Sequence, residues 1–592
     1  MKNIINKQKI FSFFVAFITT VCISISVSNN EIHFWGNDFK WILYWGAIYI
    51  LIMDIFNKKN KRLFICNAVF GLIISSLYCV GTIANDYNFK LSNKDLLVLL
   101  CKFEEYSVLI TVITYLIMYN VSNNSIKEIR EHKLFTSNIK SIFFVTIILF
   151  IGYLPYILHY YPGNVLIDSV IQILQGQGAI PLTNHHPVLH TEIIAVCMNI
   201  GHSLFGSYSS GAAIYTIGQT IITSLIFSFT IYYMARKNIS IYIRASTLLF
   251  FMFCPTICFY TITMYKDIPF ALCVLLATIG INEMVNNTSN FFKSKIRCIY
   301  LMSMITLIMF FRNNGIYAIL LAFPFFIIAL RKYYKQILII FLLPIIFYKI
   351  VTGPIYNMAN IEQGSTREAL SIPLQQFARL MSYKENELTQ DQKNKIRQYL
   401  PIENFGELYQ PGFADPIKSN FSESGFEEDK IGLIKLYFEL AKEYPIQTIE
   451  SFIMGSFGYY YPNTVGWGVY TGVNTEMFGS YTEYQFSQKS ILKIDFLDKI
   501  NEFVNSRDLP IISMFISIGF LFWIIILCIM FNVYNKKYRN MLIFLPVVFI
   551  WLTALASPVF CEPRYVYSIF TCLPLFISIT INNKGDNRKK VK

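Results

Sequence analysis

Residues 140–159 read KSIFFVTIILFIGYLPYILH, an apolar run in which only the first and last residues are titratable apart from two tyrosines. A helix of this length crosses the hydrocarbon of a bilayer, which is about 30 Å thick. Similar runs recur along the whole chain, in which hydrophobic residues make up 54% of the 592 and charged residues only 15%. A soluble chain of this length would divide into several cores separated by charged surface. The sequence therefore predicts an all-α polytopic membrane protein.

The distribution of charge predicts the number of membrane crossings. Residues 353–509 hold 14 Lys+Arg and 21 Asp+Glu, whereas the rest of the chain holds 36 Lys+Arg and 15 Asp+Glu. Because short cytoplasmic loops are rich in Lys and Arg, we expect about 14 transmembrane helices, both termini in the cytoplasm and 353–509 outside the cell. The net charge of +14 then reflects the membrane topology of the chain and predicts no nucleic-acid partner. The basic connections are 57–62, 127–140, 236–244, 293–297, 331–335, 536–539 and the tail from Lys584.

Four regions follow from this path through the cell membrane. Residues 1–139 hold about four additional N-terminal helices, and 140–352 form a transmembrane module whose first outer loop is 160–209. Residues 353–509 form a mostly helical extracytoplasmic domain, and 510–592 contain the last transmembrane helices and a basic cytoplasmic tail. Residues 188–206 are apolar enough to cross, but a crossing there would place the basic loop 236–244 outside. We therefore expect an interfacial helix at 188–206.

The first outer loop carries Asp168 and four of the chain's seven histidines, three of them within residues 185–190. Asp168 either caps the short helix that follows it or acts as a general base at the membrane rim. His186 and His190 are four residues apart, so a continuous helix would place both on one face, where metal ligands or phosphate donors would lie. The alternative is a polar turn before Pro187, and contact with an anion or a sugar hydroxyl is the favoured role for this segment, which includes His185.

Three further polar segments interrupt apolar runs at the same predicted boundary. Lys266 and Asp267 form a charged turn, which is either a solvated tip or a phosphate-binding cation beside a second carboxylate. Arg312 begins an Arg-Asn-Asn-Gly turn, and an outer arginine pairs well with a membrane-anchored phosphate. Glu562 and Arg564 flank a proline and either pair with each other or join the same site. A rim of acids and cations suits chemistry on a lipid-linked phosphate.

The order of these segments resembles the GT-C fold glycosyltransferases that use polyprenyl-phosphate sugars. The features that match are Asp168 in the first outer loop, a His-Pro segment leading to Leu204-Phe205-Gly206, the Lys266-Asp267 turn, the Arg-Asn-Asn-Gly turn and a late Glu-Pro-Arg-Tyr. Protein mannosyltransferases and the lipid A aminoarabinose transferase show a similar order, and a branch of Gram-positive membrane proteins is more similar still. The resemblance covers about 140–582, although Ser169 stands where a second acid is usual.

The resemblance implies inverting transfer of a sugar from a polyprenyl-phosphate donor to a cell-envelope glycan or protein acceptor. Asp168 would be the base and Asp267 the second catalytic-site carboxylate. The residues that would bind substrate are Lys266, Arg312, Glu562, Arg564, Tyr565, His185, His186 and His190. Trp467 and Tyr470 would stack on sugar rings. No metal ligand is assigned, although a divalent metal cofactor is compatible with the resemblance.

Three other functions share these features. A transporter or flippase for a lipid-linked polysaccharide would use the same cations without a base. A polysaccharide polymerase or ligase of related fold would differ in its acceptor. An outer sensor or scaffold would tolerate loss of the cations.

Overall fold

The computed structural model describes residues 2–28, 31–34, 39–123, 135–464, 466, 468–557 and 559–582. Trp467, the tail from Lys584 and most of the basic loop 127–140 lie outside these described residues. The described chain is mostly helical, with almost no sheet. Its one sheet is an antiparallel hairpin of two four-residue strands near the N-terminus, a small departure from the predicted all-α class.

The helices and strands follow one another closely along the chain. The N-terminal elements are α1 (Lys2–Ser24), β1 (Ile25–Ser28), β2 (Glu31–Phe34), α2 (Lys40–Lys58), α3 (Lys61–Tyr87), α4 (Asn93–Asn123) and α5 (Lys140–His159). The middle elements are α6 (Ile167–Gly176), α7 (Val188–Phe205), α8 (Tyr208–Arg236), α9 (Ile241–Phe253), α10 (Pro255–Thr261), α11 (Asp267–Asn286), α12 (Thr288–Lys293), α13 (Lys295–Phe311), α14 (Gly315–Ala329) and α15 (Tyr334–Ile350). The last elements are α16 (Tyr356–Met358), α17 (Ser371–Tyr383), α18 (Gln390–Tyr399), α19 (Phe405–Leu408), α20 (Asp415–Lys418), α21 (Glu423–Glu428), α22 (Lys430–Glu443), α23 (Pro445–Ser456), α24 (Asp495–Ser506), α25 (Ile518–Tyr534), α26 (Leu545–Leu555) and α27 (Tyr567–Asn582).

Eight helices of the described chain are long and apolar enough to cross a membrane, or nine if the bent pair α9–α10 counts as one span. This is consistent with a membrane protein, but 14 spans are not shown. Several predicted spans form short helices: α26 has 11 residues, which extend over roughly 17 Å at about 1.5 Å per residue. The pair α9–α10 bends by 58° where Pro255 begins α10. Helix α7 is one of the eight, so its interfacial position remains a prediction.

The central helices run back and forth between two ends of one bundle. We call one of these the site end: helices α5 and α13 end there, and α8, α11, α14 and α27 begin there. We call the opposite one the basic end: helices α8 and α11 end there, and α13 begins there. Their contacts fix this arrangement: Thr216 Oγ1 near the start of α8 donates to the Pro162 carbonyl just beyond α5, and Asn582 at the end of α27 donates to the Lys237 carbonyl just beyond α8.

The predicted domain at 353–509 contains two parts that pack differently. Helices α17 to α22 share a hydrophobic core of their own, centred on Leu374, Phe377, Leu380 and Tyr399. The later residues Phe457–Tyr461, with Leu497 and Val504 of α24, instead belong to the main core of the bundle. Only the first part therefore has the separate core expected of a domain.

The antiparallel helices α7 and α8 approach each other unusually closely. The chain turns between them at Gly206, whose φ of 68° lies in the left-handed region that favours glycine. A Cβ placed on Gly201 would lie 2.1 Å from the backbone nitrogen of Gly211. This pair forms the surface on which α6 lies, since Gln172 of α6 donates to Thr191 Oγ1 of α7 at 2.9 Å.

Candidate functional site

Four separate loops meet at the site end. Asp168 lies in the first turn of α6, and His186 lies just before α7. Lys266 immediately precedes α11, and Arg564 lies in the short turn before α27. All four loops join apolar helices at the same end of the bundle, so the polar side chains that the helices exclude collect there.

Asp168 is the anionic centre of the cluster. Its Oδ2 accepts a hydrogen bond from Arg564 Nη1 at 2.8 Å, and Lys266 Nζ lies 3.4 Å from the same oxygen. Burial alone would raise the pKa of Asp168, but the charges of Arg564 and Lys266 outweigh burial and hold that pKa well below its usual range. The side chain stays 23% exposed. Asp168 is therefore an ionised, partly accessible carboxylate, and its oxygens bind cations instead of capping α6.

His186 contributes a buried hydrogen-bond donor to the same cluster. Burial, together with the charge of Lys266, lowers the pKa of His186 to about 2, so the ring is neutral. Lys266 Nζ donates to His186 Nδ1 at 2.9 Å, which assigns the ring proton to Nε2. That Nε2 is buried without a hydrogen-bond partner among the described residues. A buried donor normally has an acceptor, so this atom is suited to a ligand oxygen.

Arg564 is held between two aromatic rings and a second carboxylate. Its guanidinium carbon lies 4.6 Å from the ring centre of Tyr265 and 5.2 Å from that of Tyr565. Its Nε lies 3.7 Å from Glu562 Oε1. Burial raises the pKa of Glu562 to about 7, against the opposing charge of Arg564. The predicted Glu562–Arg564 pair therefore exists, but Arg564 also binds Asp168.

Arg312 forms a second, deeper layer. Its Nη1 lies 3.0 Å from Asp267 Oδ1, without the alignment of a hydrogen bond, and donates to the Tyr565 carbonyl at 3.0 Å. The Tyr565 ring lies 4.4 Å from the guanidinium carbon. The Asp267 side chain is fully buried. The Lys266-Asp267 turn is thus no solvated tip, and Asp267 faces Arg312 instead of the open part of the site.

The remaining histidines occupy different positions. His185 is exposed beside His186, with their ring centres 4.8 Å apart. His190 is fully buried below the site, where Nδ1 pairs with Gln172 Oε1 and Nε2 with the Tyr215 hydroxyl. Both nitrogens of His190 are used, so it supports the packing of α6, α7 and α8. His186 and His190 do not converge, and within the described ranges no group of three or more His, Cys, Asp or Glu side chains could hold a metal ion.

Residues between 359 and 491 brace the loops of the cluster. Val165 exchanges backbone hydrogen bonds with Gly472 and Asn474, just before Asp168. The backbone carbonyl of Glu362 accepts a hydrogen bond from the Asn184 N–H at 2.7 Å, just before the histidines. The backbone carbonyl of Gly412 accepts a hydrogen bond from the Phe560 N–H at 3.1 Å, just before Glu562. Each of these contacts fixes the backbone of a loop that carries a charged or imidazole side chain.

Several members of the cluster were assigned no role from the sequence, although Asn313 lies in the Arg-Asn-Asn-Gly turn. Tyr260 donates to Glu562 Oε1 at 3.5 Å, and Tyr265 lies under Arg564. Asn313 donates to the Asn184 carbonyl at 2.7 Å and so joins the arginine turn to the histidine segment. Aromatic residues are frequent throughout this chain, so only their position in space distinguishes the two tyrosines.

The cluster as a whole favours the binding of an oxyanion. Three cations face Asp168, Asp267 and Glu562, and burial raises the pKa of Glu562 to about 7. The side chains of Lys266, Arg312 and Arg564 are between 12% and 16% exposed, so they are accessible but poorly hydrated. Charge-assisted hydrogen bonds are strong in such surroundings.

Comparisons with known proteins give one match. Residues 174–592 match the model of a family described as "Family of unknown function (DUF6020)". That range begins after Asp168 and contains His186, Lys266, Arg312 and Arg564. No curated protein and no solved structure matches the chain. Since the family model covers well over half of the sequence, the chain belongs to the DUF6020 family.

Proposed function

We propose that this protein is a membrane glycosyltransferase of the GT-C type, which transfers a sugar from a polyprenyl-phosphate donor to a cell-envelope acceptor. The observation that carries the proposal is the cluster around Asp168. It combines an ionised, partly open carboxylate, two cations bound to that carboxylate and an imidazole N–H that has no partner in the described part of the chain, all at one end of the helical bundle.

The donor phosphate would compete with Asp168 for its cations. A phosphate oxygen near Lys266 and Arg564 would take over part of their charge, because guanidinium and ammonium groups bind phosphate well. Asp168 would then lose the charges that depress its pKa and become a stronger base. Binding of the sugar donor would thus prepare the carboxylate for proton transfer. His186 Nε2–H would donate a hydrogen bond to an oxygen atom of the same lipid-linked sugar.

The reaction would proceed by displacement at the anomeric carbon. The acceptor hydroxyl oxygen attacks that carbon as Asp168 takes the hydroxyl proton. The bond between the carbon and the phosphate oxygen breaks, and the polyprenyl phosphate leaves with the electron pair. The configuration at the carbon is inverted. Arg564 and Lys266 would stabilise the charge that develops on the leaving phosphate, where stabilisation accelerates the reaction most.

The proposed orientation places the site end outside the cell. The short basic connections at the opposite end follow the positive-inside rule, so both termini would be cytoplasmic. The cluster would then meet donor lipids at the outer surface, next to the acceptor. The region 359–491, which braces the cluster, would contact the acceptor, and the exposed ring of Tyr470 would stack on a sugar there.

A transfer assay with the purified full-length protein tests this function. The substrates are a panel of radiolabelled undecaprenyl-phosphate hexoses with envelope glycan as acceptor. We expect Asp168→Asn to lower transfer by about 10²–10⁴-fold, because it removes a general base. Donor binding should persist, because the cations remain. The matched control is Asp508→Asn, at an exposed aspartate whose side chain forms no hydrogen bond or ion pair in the described structure, and it should transfer normally.

Two outcomes would contradict the proposal. Transfer by Asp168→Asn at the wild-type rate would exclude Asp168 as the base. Absence of transfer by the wild type, together with movement of the intact donor lipid across proteoliposome membranes, would favour a flippase instead.

A further inference from the structure

The basic end of the bundle contains a cavity that is separate from the Asp168 cluster. The cavity has a volume of about 520 Å³ and lies where α8 and α11 end and α13 begins. Four cations line it: Arg236, Lys237, Lys293 and Arg297. The only acid in its lining is Glu283.

That acid is already neutralised within the protein. Lys237 Nζ forms an ion pair with Glu283 Oε1, and the Tyr233 hydroxyl donates to the same oxygen at 2.6 Å. The other three cations have no carboxylate partner among the described residues, as the ion pairs of that part of the chain do not include them. The side chains of Asn287 and Asn290 add amide donors to the lining. The cavity therefore presents three uncompensated positive charges to a ligand.

An apolar groove continues from this cavity along the helices. It has a volume of about 400 Å³ and shares Arg236, Lys237, Glu283 and Arg297 with the basic cavity. The residues that line its apolar part are Phe229, Tyr232, Ile279, Phe291, Ile296 and Tyr300. Ile296 is 80% exposed although it belongs to this lining. The groove runs along α8 and α11, which are both long and apolar enough to cross a membrane.

We infer that this cavity and groove form a binding site for an anionic phospholipid. The phosphate of the headgroup binds Arg236, Lys293 and Arg297, and one acyl chain lies in the groove against Ile296 and Tyr300. Basic pockets between membrane helices are known to bind phosphate headgroups. A soluble phosphate would use the cations but leave the groove empty, whereas a neutral lipid would use only the groove. The continuity of the two surfaces selects a ligand that has both parts.

Lipid titration followed by native mass spectrometry tests the headgroup site. Full-length protein in detergent is titrated with phosphatidylglycerol, with phosphatidylcholine and with glycerol phosphate. The variant combines Arg236→Gln, Lys293→Gln and Arg297→Gln, three exposed residues. We expect phosphatidylglycerol to bind the wild type best and the variant to bind it about a hundredfold more weakly, since each surface cation contributes about fivefold.

The control removes the same charge at the predicted cytoplasmic side, from lysines near the N-terminus that line neither the cavity nor the groove. It combines Lys9→Gln, Lys59→Gln and Lys61→Gln, which are also exposed, and should bind phosphatidylglycerol within about threefold of the wild type. Equal weakening in both triple variants would overturn the proposal, because general surface charge would explain the binding. Equal affinity for phosphatidylcholine, or for glycerol phosphate, would overturn it as well.

A second pair of variants tests the groove without changing any charge. Ile296 and Ile299 are both exposed on α13, at 80% and 60%, but only Ile296 lines the groove. Ile296→Asn should weaken phosphatidylglycerol binding by about tenfold, because it places an amide against the acyl chain. Ile299→Asn should leave binding unchanged, and equal effects of the two substitutions would contradict the assigned groove.

Discussion

The contact between Arg564 and Asp168 gives the sharpest energetic prediction for the cluster. Substitution Arg564→Gln removes the cation 2.8 Å from Asp168 Oδ2 and leaves Lys266 at 3.4 Å. Two unit charges about 4 Å apart attract each other by about 4 kcal/mol at an effective dielectric constant of 20. Because Lys266 remains and Asp168 is 23% exposed, we expect a coupling energy of roughly 2–3 kcal/mol. The pKa of Asp168 rises in the variant, since the first of its two compensating charges is lost.

A double-mutant cycle in mixed detergent micelles measures this coupling. The free energy of unfolding is obtained by SDS titration for wild type, Arg564→Gln, Asp168→Asn and the double variant. The double variant should be destabilised by less than the sum of the single variants. The control cycle uses Lys493 and Asp495, which lie 3.3 Å apart but are 76% and 75% exposed, so no coupling should be measurable. Additive effects at Arg564 and Asp168 would refute the reasoning.

Two further predictions concern Glu562 and the packing of α7 on α8. The pKa of Glu562 is raised to about 7, so its stabilising contribution is complete below about pH 4.5 and is lost as the pH rises through 7. The wild type should therefore lose roughly 3 kcal/mol of unfolding free energy across that window. Glu562→Gln should flatten the loss in a pH series of SDS titrations, and an unchanged slope would contradict the assignment. Gly201→Ala would place its Cβ 2.1 Å from Gly211 N and should lower the unfolding free energy by about 1–3 kcal/mol. Gly218→Ala on α8 meets nothing within 4 Å and should be neutral or slightly stabilising, so equal losses at the two glycines would argue against close contact of α7 and α8.

The sequence was informative about where polar residues interrupt apolar helices. Asp168, Lys266, Arg312 and Arg564 each stand beside a long hydrophobic run, and such runs must begin and end at an interface. Their presence at one end of the bundle could therefore be predicted from positions along the chain. The pairing among them could not, because a loop can present its side chain in many directions. His190 illustrates the limit: its spacing from His186 suggested a shared site, but the helix begins only after Pro187 and turns His190 towards Gln172 and Tyr215.

Hydropathy and charge along the chain determined the helical class, the apolar runs long enough to cross a membrane and the separation of acidic from basic segments. These properties depend on neighbours within about twenty residues, so a linear reading suffices. Tertiary structure alone decided that Asp168 binds Arg564, 396 residues further along, and that residues 359–491 brace both of their loops. It also decided that α8, α11 and α13 form a basic cavity with an apolar groove. Such contacts depend on how helices pack side by side, and residues far apart in the chain carry no local record of one another.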